Sequence, residues 1–401
     1  MFQFSRNTII KKNNNKVVLG NQRNGKWVRM SEQEYNSLCS VLQADTIDEK
    51  YSRRLETLHR IGILVKDDVE KNQKDKLESL LIAITNRCNL RCLHCGFSAG
   101  PEETDQLSFE DIKEIIDANR DIDSITLTGG EPLVHPNFWD IADYLGEHFQ
   151  GSKGLMSNVT LVNSTNIDKI VKNFSNVSIS LDAATPETCK LIRGKGVFEH
   201  TIEVVGLLKE KGLTDISISF VVTEINRKEQ NEFKKMCETL GVKPMLRNFF
   251  PIGRGKENEY ILEGRQDESN KMATEDMQEM RKKMPIIATC DAAVKSLYIQ
   301  YDGRIYPCPV AAVNPEFALK QLSELETKDL QLLTDGRLAC NGYCKFKNTM
   351  SEKVESCAKC KVKSFCWGCI IDYFMYFDNE NSKMKFCDER KELLEKMIWG
   401  D

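Results

Sequence analysis

The sequence has no run of 18 apolar residues, so it offers no membrane-spanning helix. Its opening, MFQFSRNTIIKK, lacks the charged region, apolar stretch and small-residue cleavage site of a secretory signal. These absences predict a soluble, cytoplasmic protein with no membrane partner. Charge of one sign is also scarce: the net charge is −4, which makes no general case for nucleic acid. Charge is nevertheless uneven, because residues 1–75 hold 14 Lys and Arg against 10 Asp and Glu, an excess of +4 that leaves −8 for the rest. Such an excess suits either an acidic peptide partner or a plain solvated surface.

What the sequence has in quantity is cysteine, 15 in 401 residues. A reducing compartment keeps thiols free, so closely spaced cysteines there point to metal rather than to disulfides. Twelve of them fall in two zones, 88–95 and 290–387. Cys39, Cys189 and Cys237 lie apart in helical patterns and read as small buried hydrophobes.

The length predicts two or three domains, and the patterns divide the chain into four segments. In residues 1–75, NTIIKK, KVVLGN and KWVRM read as short strands with a hairpin at Asn24-Gly25. A helix follows, opened by a Ser31/Glu34 capping box, and a second runs through YSRRLETLHRIGILV. Together they predict a small winged-helix-like unit, with KDDVEKNQKDK as the linker after it. Residues 76–255 alternate apolar strands (SLLIAIT, SITLT, KGLMS, VSISL, ISISFVV, KPMLRNFF) with amphipathic helices, one of them opening at Ser108. That order implies a parallel sheet covered by helices, and six units predict a partial (β/α)6 TIM-like barrel. Active sites of such folds lie at the C-terminal ends of the strands, where TNRC, GGEP, SNV and Asp182 fall. Residues 256–289 read as a polar helical linker. Residues 290–401 form a Cys-rich domain with few regular elements, so bound ligands must supply much of its cohesion.

Cys88-x3-Cys92-x2-Cys95 directly follows an apolar strand. Three thiolates on one tight loop suit three corners of a [4Fe–4S] cubane, and no fourth Cys lies nearby, which leaves one iron open to a chelating substrate. Zinc is the alternative, but its tetrahedral sites usually draw on paired Cys-x2-Cys arms or His, and His94 is poorly placed between two ligands. In the C-terminal zone Cys290, Cys308, Cys357, Cys360, Cys366, Cys369 and Cys387, with Cys340 and Cys344, make nine thiols where two cubanes need eight. Zinc ribbons are the alternative there.

On the three-Cys loop and the GGEP run, residues 79–250 resemble the radical S-adenosylmethionine (SAM) superfamily. The resemblance implies that SAM chelates the open iron and is cleaved, on one-electron reduction, to a radical that takes hydrogen from a substrate. It makes Cys88, Cys92 and Cys95 the catalytic cluster ligands. It gives SAM-binding roles to Gly129, Gly130, Glu131 and Pro132, to Asn158 in the place of the usual TNG motif, to Ser180 and Asp182 at the ribose, and to Arg193 at the SAM carboxylate. Val159 departs from that motif's Gly, and His94 stands where relatives carry an aromatic and contributes chiefly backbone. The C-terminal cysteines resemble a SPASM domain with two auxiliary [4Fe–4S] clusters. By that resemblance Cys290, Cys308 and Cys369 bind the first, with Cys340, Cys344 or an open site as the fourth position. Cys357, Cys360, Cys366 and Cys387 bind the second. The N-terminal unit resembles the leader-recognition element of enzymes that modify ribosomally made peptides, which takes the leader as an added strand. The resemblances imply an oxidoreductase that binds a precursor peptide by its leader, takes electrons from a ferredoxin or flavodoxin, and forms a thioether or carbon–carbon cross-link. Formylglycine formation of the sulfatase-maturating type and peptide epimerisation are the alternative chemistries, and a scaffold without turnover is the alternative class.

Overall fold

The computed structural model describes residues 2–44, 48–66, 76–263, 284–336, 341–350, 353–366, 369–376 and 380–400. Most of the expected linkers, and Cys340, lie outside the described residues. Two compact units emerge: residues 1–75, 270–291 and 345–401 form one, and residues 76–269 and 292–344 the other. The stretch 290–401, expected as one domain, is divided between them.

In the first unit, β1 (Phe2–Phe4) precedes three antiparallel strands, β2 (Thr8–Asn13), β3 (Lys16–Asn21) and β4 (Trp27–Ser31), in the order β2-β3-β4. The expected capping box is formed: the Ser31 hydroxyl and the Glu34 carboxylate satisfy each other's backbone N–H groups and open α1 (Glu32–Leu42). Then α2 (Glu49–Arg60) ends before Gly62, whose φ of +76° suits a residue without a Cβ. The expected helix stops there, because Leu64–Lys66 becomes β5 and pairs with β1. Leu38, Leu55, Leu58 and Leu64 close the core. Cys39 is only half-buried, since the buried face of α1 centres on Leu38. A second small core joins Val18 and Trp27 to Ile287, Val362, Phe365, Ile398 and Trp399. Ile287 seats here because Gly20 has no side chain: a Cβ there would lie 1.8 Å from Ile287 Cδ1.

In the second unit, β6 (Ser79–Ala83), β7 (Ser124–Thr128), β8 (Ser152–Ser157), β9 (Asn176–Ser180), β10 (Ile216–Val222) and β11 (Lys243–Asn248) are the six expected strands, all parallel to their neighbours. The helices between them include α3 (Phe109–Ala118), which opens on the Ser108 cap, and α4 (Phe138–His148). The sheet does not end at β6. Along its free edge β12 (Ser296–Ile299) adds in parallel, and β13 (Arg304–Tyr306) and β14 (Lys320–Gln321) extend it to nine strands. An apolar edge strand needs a partner for its N–H and C=O groups, which is why residues 292–344 join this unit.

Strand alternation divides the sheet into two faces. Leu80, Ile82, Ile125, Leu127, Leu155, Val177, Ile179, Ile216 and Ile218 point one way into a continuous apolar core. Leu81, Thr126, Met156, Ser178, Ser180 and Ser217 occupy the alternate positions and are half-buried. Serines and a threonine give that face a more polar character than the core face. A cavity of about 270 Å³ opens there, lined by Ser79, Leu81, Thr126, Met156, Ser296 and Cys308 among others.

Candidate functional site

The site grows from the C-terminal ends of β6 to β9. After β6 the chain turns through Thr85–Arg87 into the cysteine loop, and the loop after β7 packs directly on it. Gly130 N–H donates to Thr85 O (2.8 Å) and Glu131 N–H to Arg87 O (2.9 Å). Both glycines are required by that approach: a Cβ on Gly129 would lie 2.3 Å from Thr85 O, and one on Gly130 would lie 2.4 Å from Arg87 O. The first property of GGEP here is thus contact with the turn that leads into the cysteine loop.

Glu131 is fully buried. Its carboxylate accepts from Ser157 Oγ (2.7 Å), Asn158 N (2.7 Å) and Leu133 N (3.2 Å). Burial pushes its pKa up to about 7, against the pull of those donors and of Arg193. Pro132 opens the short turn that follows. Asn158, also buried, donates to Asn89 Oδ1 (3.0 Å) and to the Cys88 sulfur (3.9 Å). Val159 keeps φ at +53°, the left-handed region that a Gly would occupy at no cost. A β-branched residue held there stores about 1–3 kcal/mol.

The cysteine loop is held from outside as well. After β11, Gly253 (φ +53°) passes so close that a Cβ would lie 2.4 Å from Gly96 O. Arg254 N–H donates to Cys95 O (3.0 Å), and its guanidinium donates to the carbonyls of Cys92 (3.2 Å), Ser98 (2.8 Å) and Ala99 (2.7 Å). Asn258 Nδ2 donates to Leu93 O (3.1 Å). An irregular loop must place its carbonyls somewhere, and one short segment takes five of them. Sequence reading missed Arg254 and Asn258; the only available signal was that PIGRGKEN follows the last barrel strand at its C-terminal end.

Below the loop lies a buried polar group of three. Asp182 (φ +59°) is fully buried, and Arg193 and His94 are nearly so, with 9% and 8% of their side chains exposed. Asp182 Oδ2 faces His94 Nε2 at 3.0 Å and accepts from Arg193 Nε (2.6 Å), while Arg193 Nη2 pairs with the same oxygen. Asp182 Oδ1 accepts from Val221 N (2.5 Å). Burial alone would raise the Asp182 carboxyl, but Arg193, His94 and the Val221 N–H outweigh it and hold it well below the usual range. Arg193 Nη1 reaches the Cys92 sulfur at 3.7 Å. His94 is thus more than the backbone contributor expected of it. Ser180 stands at the end of β9, half-buried on the polar face.

Cys88 has 7% exposure, and burial pushes its thiol up to about 12 despite the N–H of Leu90 on its sulfur (3.4 Å). Burial also raises Cys92. Such thiols become ligands when a cation takes the proton's place. Donors aimed at two of the three sulfurs, from Asn158, Leu90 and Arg193, suit coordinated thiolates. Among the described residues no three His, Cys, Asp or Glu side chains close on one point as the ligands of a single ion do. Three thiols on one loop, two of them receiving donors, are a donor set that suits a cubane with each thiolate on its own iron.

In the first unit Cys357 is buried in a short turn, and Cys360, Cys366 and Cys387 are half-buried. Burial pushes the Cys366 thiol up to about 12, Arg390 opposes it, and Cys360, Cys387 and Cys357 add to it, so the four thiols lie within electrostatic reach of one another. Cys369 is exposed and is raised by burial of its sulfur, then by Asp372 and Cys290. In the second unit Cys308 lines the cavity and Cys344 is exposed. Cys189 and Cys237 are buried, as expected of small hydrophobes. Among the described residues no helix is long and apolar enough to cross a membrane.

Residues 82–238 match the family model of the Radical SAM superfamily. The mycofactocin maturase MftC of Mycolicibacterium smegmatis is 32% identical over 176 residues, 43% of this chain and 45% of that protein. The antilisterial bacteriocin subtilosin biosynthesis protein AlbA of Bacillus subtilis is 31% identical over 251 residues, 59% of this chain and 55% of that protein. The match therefore spans about half the length of these relatives. In fold, the chain is similar to Streptococcus suis SuiB bound to S-adenosylmethionine, with a TM-score of 0.58 at 15% identity over 95% of this chain and 98% of that one. SuiB bound to its precursor peptide SuiA gives a TM-score of 0.57 at 14% identity, covering 95% of this chain and 97% of that one. The cysteine loop, the glycine-packed GGEP turn and a mostly parallel sheet agree with that family match, so residues 82–238 carry a radical SAM domain, and the chain is similar in sequence to MftC and AlbA and in fold to SuiB.

Proposed function

We propose that this protein is a cytoplasmic peptide maturase that takes a hydrogen atom from a ribosomally made precursor and closes a thioether or carbon–carbon cross-link. The observation that carries the reading is the cysteine loop, pinned by GGEP and by Arg254 at the strand ends beside a face of serines and threonines. Of the sequence relatives, one is named a mycofactocin maturase and another a bacteriocin biosynthesis protein, and the fold relative SuiB is known with a bound precursor peptide. Cys88, Cys92 and Cys95 would hold a [4Fe–4S] cluster whose open iron takes SAM. That cofactor pair supplies the one-electron cleavage that yields a hydrogen-abstracting radical.

The chain's own residues do the rest. Gly129, Gly130, Glu131 and Pro132 shape the loop that meets SAM's methionine end, Glu131 through its hold on Ser157 and Asn158, and Ser180 stands at the ribose. The polar sheet face admits the peptide. An edge of the β2-β3-β4 sheet takes the leader as an added strand, since an edge strand presents unpaired backbone groups. Cys357, Cys360, Cys366 and Cys387 would hold one auxiliary cluster, and Cys290, Cys308 and Cys369 a second, with Cys340, Cys344 or an open position completing it. Bound there, such clusters would supply an acceptor for the electron released on closure, and a ferredoxin or flavodoxin would supply the reducing one.

Incubating the reduced, iron-reconstituted protein with SAM and a precursor encoded beside it tests the reading. Closure removes two hydrogens, one to the SAM-derived radical and one as a proton with its electron. The expected product is lighter by two hydrogens, resists hydrazide labelling and shows a fragment gap at the bridge. A hydrazide-reactive product would mean formylglycine, and solvent deuterium gained at an unchanged hydrogen count would mean epimerisation.

A further inference from the structure

We infer that Arg193 acts as a positioning residue for the Cys92 thiolate, held in place by Asp182 and His94, and that this buried group of three sets the reduction potential of the cluster at the cysteine loop. The inference rests on the reading of Cys88, Cys92 and Cys95 as cluster ligands. It reassigns two residues that resemblance gives to SAM, Asp182 at the ribose and Arg193 at the carboxylate.

The hydrogen bonds carry the reassignment. One Asp182 oxygen takes the Val221 N–H, and the other takes both Arg193 and His94 Nε2. Its backbone carbonyl accepts from Asn226 Nδ2 (2.9 Å), and Asn226 is itself completely buried. A carboxylate so engaged has little acceptor capacity left for a ribose. Arg193 presents its Nε and Nη2 edge to Asp182, which leaves Nη1 to meet the Cys92 sulfur at 3.7 Å. A guanidinium is planar and permanently charged, so fixing one edge on a buried carboxylate fixes where the other edge points. His94 braces the far side of that carboxylate, and its Nδ1 has no hydrogen-bond partner among the described residues.

Hydrogen bonds to ligand sulfurs and nearby charge set iron–sulfur potentials, and second-shell partners are the usual means. Reduction adds negative charge to the cluster. A fixed cation donating to a thiolate favours the reduced form and raises the potential. Without Arg193 the cluster is harder to reduce.

The test is a redox titration of reconstituted protein without SAM, followed by electron paramagnetic resonance. Each poised sample is divided, and SAM is added to one half so that the signal it alters identifies this cluster among any others. Arg193→Met should shift that cluster to a more negative potential, Arg193→Lys should shift it less, and His94→Phe should give the smallest shift in the same direction. SAM affinity is measured alongside by equilibrium dialysis. An Arg193→Met protein with its cluster intact, an unchanged potential and tenfold weaker SAM binding would overturn the inference and return Arg193 to the SAM carboxylate. If Arg193→Met assembles no cluster, the Lys and Phe variants decide on the same criterion. Wild-type protein that forms no SAM-responsive cluster would instead defeat the underlying reading of the cysteines.

Discussion

The loop bearing Cys88, Cys92 and Cys95 and the stretch bearing Cys357, Cys360, Cys366 and Cys387 present thiols in opposite ways. The first sits on six parallel strands and a continuous apolar core. Its carbonyls are taken by Arg254 and Asn258, its neighbours are packed to glycine contact, and its sulfurs receive donors. The second is built of short turns and helices, with Val362, Phe365, Ile398 and Trp399 as a small apolar anchor. The difference teaches that one site is shaped by the protein's own packing, whereas the other has only a small apolar anchor of its own.

That comparison can be broken in four places. The largest effect belongs to the combined change Cys88→Ser, Cys92→Ser and Cys95→Ser. It should remove about four irons per chain and the SAM-responsive signal, while thermal unfolding of the barrel unit stays where it was; a barrel that fails to fold would show that its site is not preformed. Next comes pH. Glu131 rises from 4.5 to about 7 in the folded protein, and a raised carboxyl favours folding below its unfolded pKa and loses that favour as pH rises through the folded one. Stability should therefore fall by about 3 kcal/mol between roughly pH 4.5 and 7, and urea midpoints of Glu131→Gln should lose that slope.

Iron removal addresses the other region. A ligand at 100 times its dissociation constant stabilises by about 2.7 kcal/mol. Chelation should accordingly speed amide exchange about 100-fold in residues 353–366 while β6 to β10 stay protected. Equal loss in both regions would erase the contrast. The smallest effect is that of Gly130→Ala, whose methyl meets Arg87 O. Overpacking of this kind costs about 1–3 kcal/mol, and calorimetry should register it in the barrel unit.

The sequence made the six strands legible, because apolar runs bounded by turn residues leave few alternatives when helical patterns separate them. The capping boxes at Ser31 and Ser108 marked two helix starts for the same local reason. The cysteine spacing and GGEP exposed the site, since both are contiguous in sequence. What escaped was long-range. Nothing local to SLYI says that it lies along the free edge of β6, and nothing in LVK says that it pairs with Phe2–Phe4. Arg254 acts on a loop some 155 to 162 residues away, and the ring of His94 acts on a carboxylate delivered by another strand. Such contacts are decided by topology, so only the folded chain displays them.

One measurement bears most directly on the central claim. Reconstituted protein, reduced with dithionite and given SAM without any peptide, should release 5′-deoxyadenosine, and the protein lacking Cys88, Cys92 and Cys95 should release none. Wild-type protein that holds its iron and yields no 5′-deoxyadenosine would contradict the account.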